Sequence, residues 1–175
     1  MVLHDFWTFF IWSTVAGLAV IGIYQLFLLI LRARGVFVTR TKFGLTMIFD
    51  SEDADGTPIR LLNVNGTFQS VSYIAPELRF ELCVHYHRMM AKVIQQVSAR
   101  DHVVVMGGGG FSLPKHLATH MSGGVIDAIE IDPKIVLLAR EHFFLDEALA
   151  AASSELRVIE DDAWKVLQDA DASSI

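Results

Sequence analysis

The chain has little cysteine and little positive charge. Its 175 residues include one cysteine, Cys83, which excludes an internal disulfide and any metal site built from several cysteines. Cys83 lies between Leu82 and Val84 on a predicted helix, so we interpret it as a small core residue rather than a nucleophile. The formal net charge of −6 argues against a nucleic-acid partner, because a phosphate backbone is bound by a basic stripe.

One long segment contains no charge at all. Residues 6–31 have no Asp, Glu, Lys or Arg, and a helix of this length spans about 39 Å, against about 30 Å for the hydrocarbon core of a bilayer. His4 and Asp5 precede it, where a cleaved signal peptide has basic residues. A buried core helix is the other alternative. Basic residues follow the segment, namely Arg32, Arg34, Arg40 and Lys42. The positive-inside rule therefore predicts a single-pass anchor in the cell membrane, with the following residues in the cytoplasm.

Short β-rich runs follow this anchor. They cover residues 36–38, 43–49, 59–64 and 67–73. Asn65-Gly66 between the last two is a strong hairpin signal, so we predict a small antiparallel β unit over residues 36–75. Pro76 and apolar residues at helical spacing then predict a long helix over residues 76–97.

From residue 102 onward, strands and helices alternate. Strands are predicted at 102–106, 125–131 and 156–159, and helices at 113–121, 133–143 and 163–167. This alternation predicts an α/β, Rossmann-like domain with a parallel sheet over residues 76–175, after the anchor and its basic flank over residues 1–35. A fourth strand is expected after Ser173. Since three parallel strands make a thin core, the pattern indicates a truncated domain.

A glycine-rich loop follows the first of these strands. Gly107 to Gly110 would let a backbone approach a ligand where a Cβ would collide, although a tight turn or flexible loop is the alternative. Ser112 stands where a dinucleotide-binding loop has its third glycine, which disfavours an NAD-type oxidoreductase. A methyltransferase-type cofactor loop does not need that glycine.

Acids follow the next two strands. Glu130 closes its strand at the distance from the glycines at which a carboxylate accepts hydrogen bonds from ribose hydroxyls. Asp132 either belongs to the same site or only caps the following helix. Asp162 and Ala163 follow the third strand, where they would meet an adenine ring or form a solvated, capping turn.

The seven histidines predict no metal site. His85 and His87 are two apart on a helix and face different directions. His116 and His120 could share a face, but no Glu follows His116 as in H-E-x-x-H. We interpret these histidines as exposed or half-buried helix residues. No catalytic Ser/His/Asp set follows from spacing, so the catalytic residues are unknown.

Residues 61–175 resemble the spermidine synthase-like branch of the S-adenosylmethionine-dependent methyltransferase folds. Four motifs carry the resemblance, which are Asn65-Gly66 with Gln69, the loop Gly107 to Gly110, Glu130-Ile131-Asp132, and Asp162-Ala163. In that family the glutamine lies against the nucleoside, the glutamate takes the ribose hydroxyls and the last pair lies beside the adenine. The resemblance implies S-adenosylmethionine or decarboxylated S-adenosylmethionine as cofactor, and these cofactor-binding residues: Gln69, Gly107, Gly108, Gly109, Glu130, Asp132, Asp162 and Ala163.

The chain also departs from that family. Arg79-Phe80-Glu81 stands in place of its Tyr-His-Glu, and Gly110 in place of an acid in the glycine loop. The family's catalytic aspartate would lie beyond Ile175. The resemblance therefore implies a transferase of aminopropyl or methyl groups as the parent activity of the complete domain. The alternative is a non-catalytic, membrane-associated binding or scaffold module that retains a nucleoside site. The sequence does not determine whether the chain forms a homo-oligomer.

Overall fold

A computed structural model describes residues 2–97 and 101–170, with side chains from residue 6 onward. The chain divides into two compact units, Met1–Val38 and Thr39–Ile175. Each unit is described by itself.

The first unit consists mainly of one long apolar helix, α1 (Val2–Ala33). Its hydroxyl side chains are satisfied within the helix, since Ser13 and Thr14 each donate to the Phe10 carbonyl at 2.9 Å. Residues Phe6–Ala33 are long and apolar enough to cross a membrane. Such a helix is compatible with a membrane span, and equally with a signal sequence or a core helix.

The second unit begins with an antiparallel sheet. Its strands are β1 (Phe37–Thr41), β2 (Gly44–Glu52), β3 (Pro58–Val64) and β4 (Thr67–Tyr73), in the order β1-β2-β3-β4. Asn65 and Gly66 connect β3 and β4 with φ angles of 51° and 86°, the backbone of a two-residue hairpin turn. The Asn63 side-chain oxygen accepts from the Gly66 amide at 3.0 Å. The predicted hairpin is confirmed.

The long helix predicted over residues 76–97 is wrong. A short 3₁₀ turn (Pro76–Leu78) is followed by an irregular segment, and α2 (His85–Gln96) begins only after it. Arg88 holds this segment, because its guanidinium donates to the carbonyls of Leu82 at 2.7 Å and Cys83 at 2.8 Å. Cys83 thus lies outside the helix and is half-buried. Burial raises the pKa of its thiol to about 11, so it is a poor nucleophile at neutral pH.

A parallel sheet completes the unit, as the alternating pattern predicts. It contains β5 (His102–Met106), β6 (Val125–Ile129) and β7 (Glu155–Ile159), in the order β5-β6-β7. Four helices accompany it, namely α3 (Ser112–His120), α4 (Pro133–His142), α5 (Leu145–Ala151) and α6 (Ala163–Asp169). The short helix α5 was not predicted. The fourth strand expected after Ser173 lies outside the described residues.

The antiparallel sheet packs on the helices of the parallel one. Ile48 and Leu62 from the antiparallel sheet form a buried cluster with Ile135 and Leu138 of α4 and with Phe143, which has no exposed surface. A larger cluster joins α3, α5 and β6. This packing brings β4 against the start of α3, and therefore brings Gln69 toward the glycine loop.

Candidate functional site

The glycine loop joins β5 to α3 in a tight conformation. Gly107 and Gly109 have φ angles of +93° and +53°, in the left-handed region that side chains rarely adopt. A Cβ at Gly108 would lie 2.5 Å from Cε2 and 2.9 Å from Cε1 of Phe111. The Phe111 ring is fully buried under the loop. The loop backbone can follow this path only because glycine occupies these positions.

One carboxylate at the end of β6 holds the loop in place. Glu130 Oε2 accepts hydrogen bonds from the amides of Gly108 and Gly109, both at 3.0 Å, and Oε1 accepts from the Asp132 amide at 3.0 Å. Glu130 as a whole residue is 8% exposed. Because a carboxylate offers about four lone-pair positions, Glu130 has capacity for about one more donor. The residue predicted to take ribose hydroxyls is thus first of all the anchor of the loop.

A cavity of about 1080 Å³ opens beside the loop. Five of the predicted site residues line it together, which are Gln69, Gly107, Gly108, Gly109 and Glu130. Apolar side chains of α2 and β5 form much of the remaining wall, among them Met89, Val93, Val103 and Val105. A largely apolar cleft with a few convergent polar groups has the character of a small-molecule site.

Asp132 has another set of contacts. Its Oδ1 accepts from the Lys134 amide at 3.0 Å, which makes it the N-cap of α4, and its Oδ2 accepts from the Lys42 amide at 2.6 Å. The side chain is buried, and it is not among the residues that line the large cavity. These bonds support the capping interpretation, whereas a role of Asp132 in cofactor binding stays a prediction.

Asp162 and Ala163 also lie apart from the large cavity. The Glu130 amide donates to the Ile159 carbonyl at 2.8 Å, so the acids after β6 and β7 leave neighbouring strand ends at one edge of the sheet. However, Asp162 Oδ1 accepts from the Trp164 amide at 2.9 Å and caps α6. Ala163 lines a second cavity, of about 190 Å³. Their contact with an adenine stays a prediction.

A buried polar network beside the cavity was not predicted. Ser112 Oγ donates to the Val71 carbonyl at 2.8 Å and lies 2.9 Å and 3.0 Å from the hydroxyls of Ser70 and Ser72. The Lys115 ammonium donates to Ser72 Oγ at 3.3 Å. A sequence signal did exist, because Ser70 and Ser72 are two apart on a strand and so share one face. What the sequence could not show is that α3 covers that face.

Lys115 is fully buried. Its amine also donates to the Phe143 carbonyl, and neither of the two acceptors it reaches is a carboxylate. Burial lowers the pKa of Lys115 to about 7, because the charged form loses its hydration without gaining a hydrogen-bonded anion. The amine is therefore close to the point of deprotonation at neutral pH.

Close packing leaves no room for a side chain at Gly110. A Cβ there would lie 2.7 Å from Ser70 Oγ and 3.0 Å from Cδ1 of Phe143. This is the position at which the resemblance described above implies an acid. The acid is thus missing for a physical reason, since β4 and the residue after α4 occupy the space that its side chain would need.

Comparisons with known proteins place the fold. No protein-family model matches the chain, and no curated protein matches it. Solved structures do. A probable spermidine synthase from Corynebacterium glutamicum ATCC 13032 matches with a TM-score of 0.55 at 21% identity, over 76% of this chain and 47% of the relative.

Two further solved structures agree with this match. A spermidine synthase in complex with the transition-state analogue AdoDATO has a TM-score of 0.54 at 16% identity, and covers 76% of this chain and 43% of its own. Spermidine synthase from Thermotoga maritima has the same score and identity, and 42% of it is covered. The chain spans less than half the length of each of these proteins. Over about three-quarters of its length, the chain therefore has a spermidine synthase-like α/β fold of the methyltransferase type.

Proposed function

We propose that the large cavity binds a nucleoside cofactor, S-adenosylmethionine or decarboxylated S-adenosylmethionine, and that the parent activity is aminopropyl or methyl transfer. One observation carries the proposal. Gln69, the glycine loop and Glu130 come from three separate stretches of the sequence, and the fold brings all three to the wall of one cavity. A solved spermidine synthase of the same fold holds a transition-state analogue, which supports a nucleoside-type site.

The residues present fit such a cofactor. Glu130 has about one acceptor position left beyond its three amides, enough for one hydroxyl of a ribose. Gln69 is exposed and can donate and accept through its amide. The apolar side chains of α2 suit an adenine or a thioether chain. When bound, such a cofactor supplies an activated carbon next to sulfur; the described residues bind and orient it.

This chain lacks a residue that the resembled family uses to bind the acceptor substrate. A polyamine synthase of the resembled family uses an acid in the glycine loop to face the amine, and Gly110 has no space for one. This observation favours, as a second candidate, a membrane-associated binding or scaffold module that keeps the nucleoside site without the chemistry. Detection of a transferred aminopropyl or methyl group separates the two.

Calorimetry on the full chain in detergent micelles tests the cofactor proposal. We expect S-adenosylmethionine, its decarboxylated form or methylthioadenosine to bind, and Glu130→Ala to weaken binding by more than about tenfold, since a charged hydrogen bond contributes about 1.5–3 kcal/mol. Glu77→Ala, at an exposed acid outside the cavity, is the matched control and should bind normally.

Two results would overturn this proposal. One is the absence of binding by all three nucleosides to a chain whose circular dichroism shows that it is folded. The other is tight binding of NADH alone, which would favour the oxidoreductase that Ser112 argues against.

A further inference from the structure

A second group of potential ligands lies away from this cavity, on the last turns of α3. Glu81, His116 and His120 each offer one ligand atom, and these atoms all lie within 4.8 Å of one another. The two histidines are four residues apart on α3, so they share one face of the helix, and their rings stack with centroids 4.1 Å apart. Glu81 comes from the irregular segment before α2. Three separately placed side chains thus converge on one point.

A backbone carbonyl lies beside one nitrogen of each ring. His116 Nδ1 lies 2.8 Å from the Phe80 carbonyl, and His120 Nδ1 lies 2.9 Å from the His116 carbonyl. Since a carbonyl only accepts hydrogen bonds, these contacts favour a proton on each Nδ1 and a lone pair on each Nε2. His120 Nδ1 also lies 3.0 Å from the Thr119 hydroxyl, and His116 Nδ1 lies 4.0 Å from Glu81 Oε2. A backbone carbonyl on the other ring nitrogen is the usual support of a metal-binding histidine.

The contact between His120 and Glu81 has a position for a proton or a metal ion between the two atoms. His120 Nε2 lies 3.0 Å from Glu81 Oε1. With the ring proton on Nδ1 both atoms are acceptors, and a metal ion between them would remove their repulsion; with a proton on Nε2 the ring donates to the carboxylate instead. Ligand atoms around a tetrahedral zinc ion are about 3.3 Å apart, given bonds of about 2.0–2.1 Å. The observed separation is close to that value.

We propose that Glu81, His116 and His120 form a binding site for a divalent transition-metal ion, with zinc as the expected ion. Two imidazoles and one carboxylate are a donor set for zinc, whereas magnesium and calcium prefer oxygen ligands alone. The side chains of His120 and Glu81 are 38% and 46% exposed, so solvent completes the coordination. The ion ties the end of α3 to the segment before α2.

This site is independent of the proposed cofactor cavity. None of its three residues lines that cavity. The sequence predicted no metal site because the histidines lack the glutamate of H-E-x-x-H. Here the carboxylate comes from Glu81, far upstream in the chain, and only the packing of α3 against that segment supplies it.

Zinc titration of the full chain tests this proposal. The chain is prepared without a histidine tag, stripped with EDTA, held in detergent micelles and titrated with zinc chloride in a calorimeter. We expect one zinc ion per chain. His120→Ala and Glu81→Gln should each lower the affinity more than about tenfold, since even supporting residues of metal sites contribute about 10–100-fold. His85→Ala, at an exposed histidine outside the group, should leave the affinity unchanged.

Both informative substitutions are at partly exposed side chains, so they should leave the fold intact, and circular dichroism checks this. Zinc should also raise the midpoint of thermal unfolding of the wild-type chain and of His85→Ala, but not of His120→Ala. The proposal is overturned if the wild-type chain binds no zinc, or if His85→Ala loses as much affinity as His120→Ala. Either result leaves the nucleoside proposal untouched, because zinc titration does not involve the cavity.

Discussion

Some side chains in this protein have structural roles that differ from the ligand-binding roles their motifs suggest. Glu130 stands where a ribose-binding acid is expected, yet its carboxylate is already engaged by three backbone amides. Asp132, in the same motif, has both oxygens on other amides. A backbone amide satisfied by a charged acceptor stabilises the loop on which any ligand would rest. Loop support and ligand binding are therefore coupled at Glu130.

The buried Lys115 should make the stability of the protein depend on pH. Its folded-state pKa of about 7 lies below the ordinary value of 10.5, so between these values the unfolded chain binds the proton and the folded chain does not. Stability must then increase as the pH rises through this window. From pH 7 to pH 9 we expect the free energy of unfolding to rise by about 2 kcal/mol, at about 1.4 kcal/mol per pH unit.

Urea unfolding at several pH values, followed by circular dichroism, measures this rise. Lys115→Met keeps a long side chain but has no amine, so its free energy of unfolding should lack the rise. Cys83 titrates in both proteins, so the difference between their free energies of unfolding at each pH reports the contribution of Lys115. Parallel pH profiles for the two proteins would contradict a shifted lysine.

At the scale of elements, local signals predicted most boundaries and missed those that depend on distant contacts. Strands β4 and β5 have the predicted limits, because the turn residues Asn65-Gly66 precede β4 and the glycines from Gly107 follow β5. The helix predicted over residues 76–97 failed since Arg88 bonds the carbonyls of Leu82 and Cys83, which the helix would otherwise use. The spacing of apolar residues alone does not show that a side chain will bind the backbone carbonyls that a helix needs.

The close contact between the glycine loop and β4 should make the stability sensitive to a substitution at Gly110. A methyl group at Gly110 would overlap Ser70 and Phe143, so Gly110→Ala should lower the free energy of unfolding by about 1–3 kcal/mol. Urea unfolding measures this loss. Its cause is tested by a double-mutant cycle with Ser70→Gly, which removes the nearest atoms. The double variant should be less destabilised than the sum of the two single changes. Additive changes would instead mean that Ser70 does not cause the loss of stability in Gly110→Ala.

At the scale of the whole molecule, the chain combines a long apolar helix with an α/β unit. The solved structures align with 76% of it, while the chain matches less than half of each of them. The antiparallel sheet packs on α4, and this packing builds the cavity from β3, β4, α2 and the glycine loop.

We propose that α1 spans the cell membrane, with the α/β unit on the cytoplasmic side. The full chain should then stay in the membrane fraction after an alkaline carbonate wash. Replacing both Leu18 and Ile21 by arginine should release it, because each arginine costs about 2.5–3.5 kcal/mol at the centre of a spanning helix. Replacing the exposed Phe43, outside α1, by serine is the control. A mature chain that has lost its first residues by mass spectrometry would instead identify a signal sequence.

The sequence by itself determined the apolar helix, the hairpin at Asn65-Gly66, the parallel α/β alternation and the motifs that resemble spermidine synthases. All of these depend on periodicity or on neighbouring residues, and such information is local. Tertiary structure alone decided that Glu130 holds the glycine loop, that the buried Lys115 donates to a hydroxyl and a backbone carbonyl, and that Gly110 has no space for an acid. It also brought Glu81 to two histidines of α3. These features depend on residues far apart in the chain, whose distances are determined only when the sheets and helices pack.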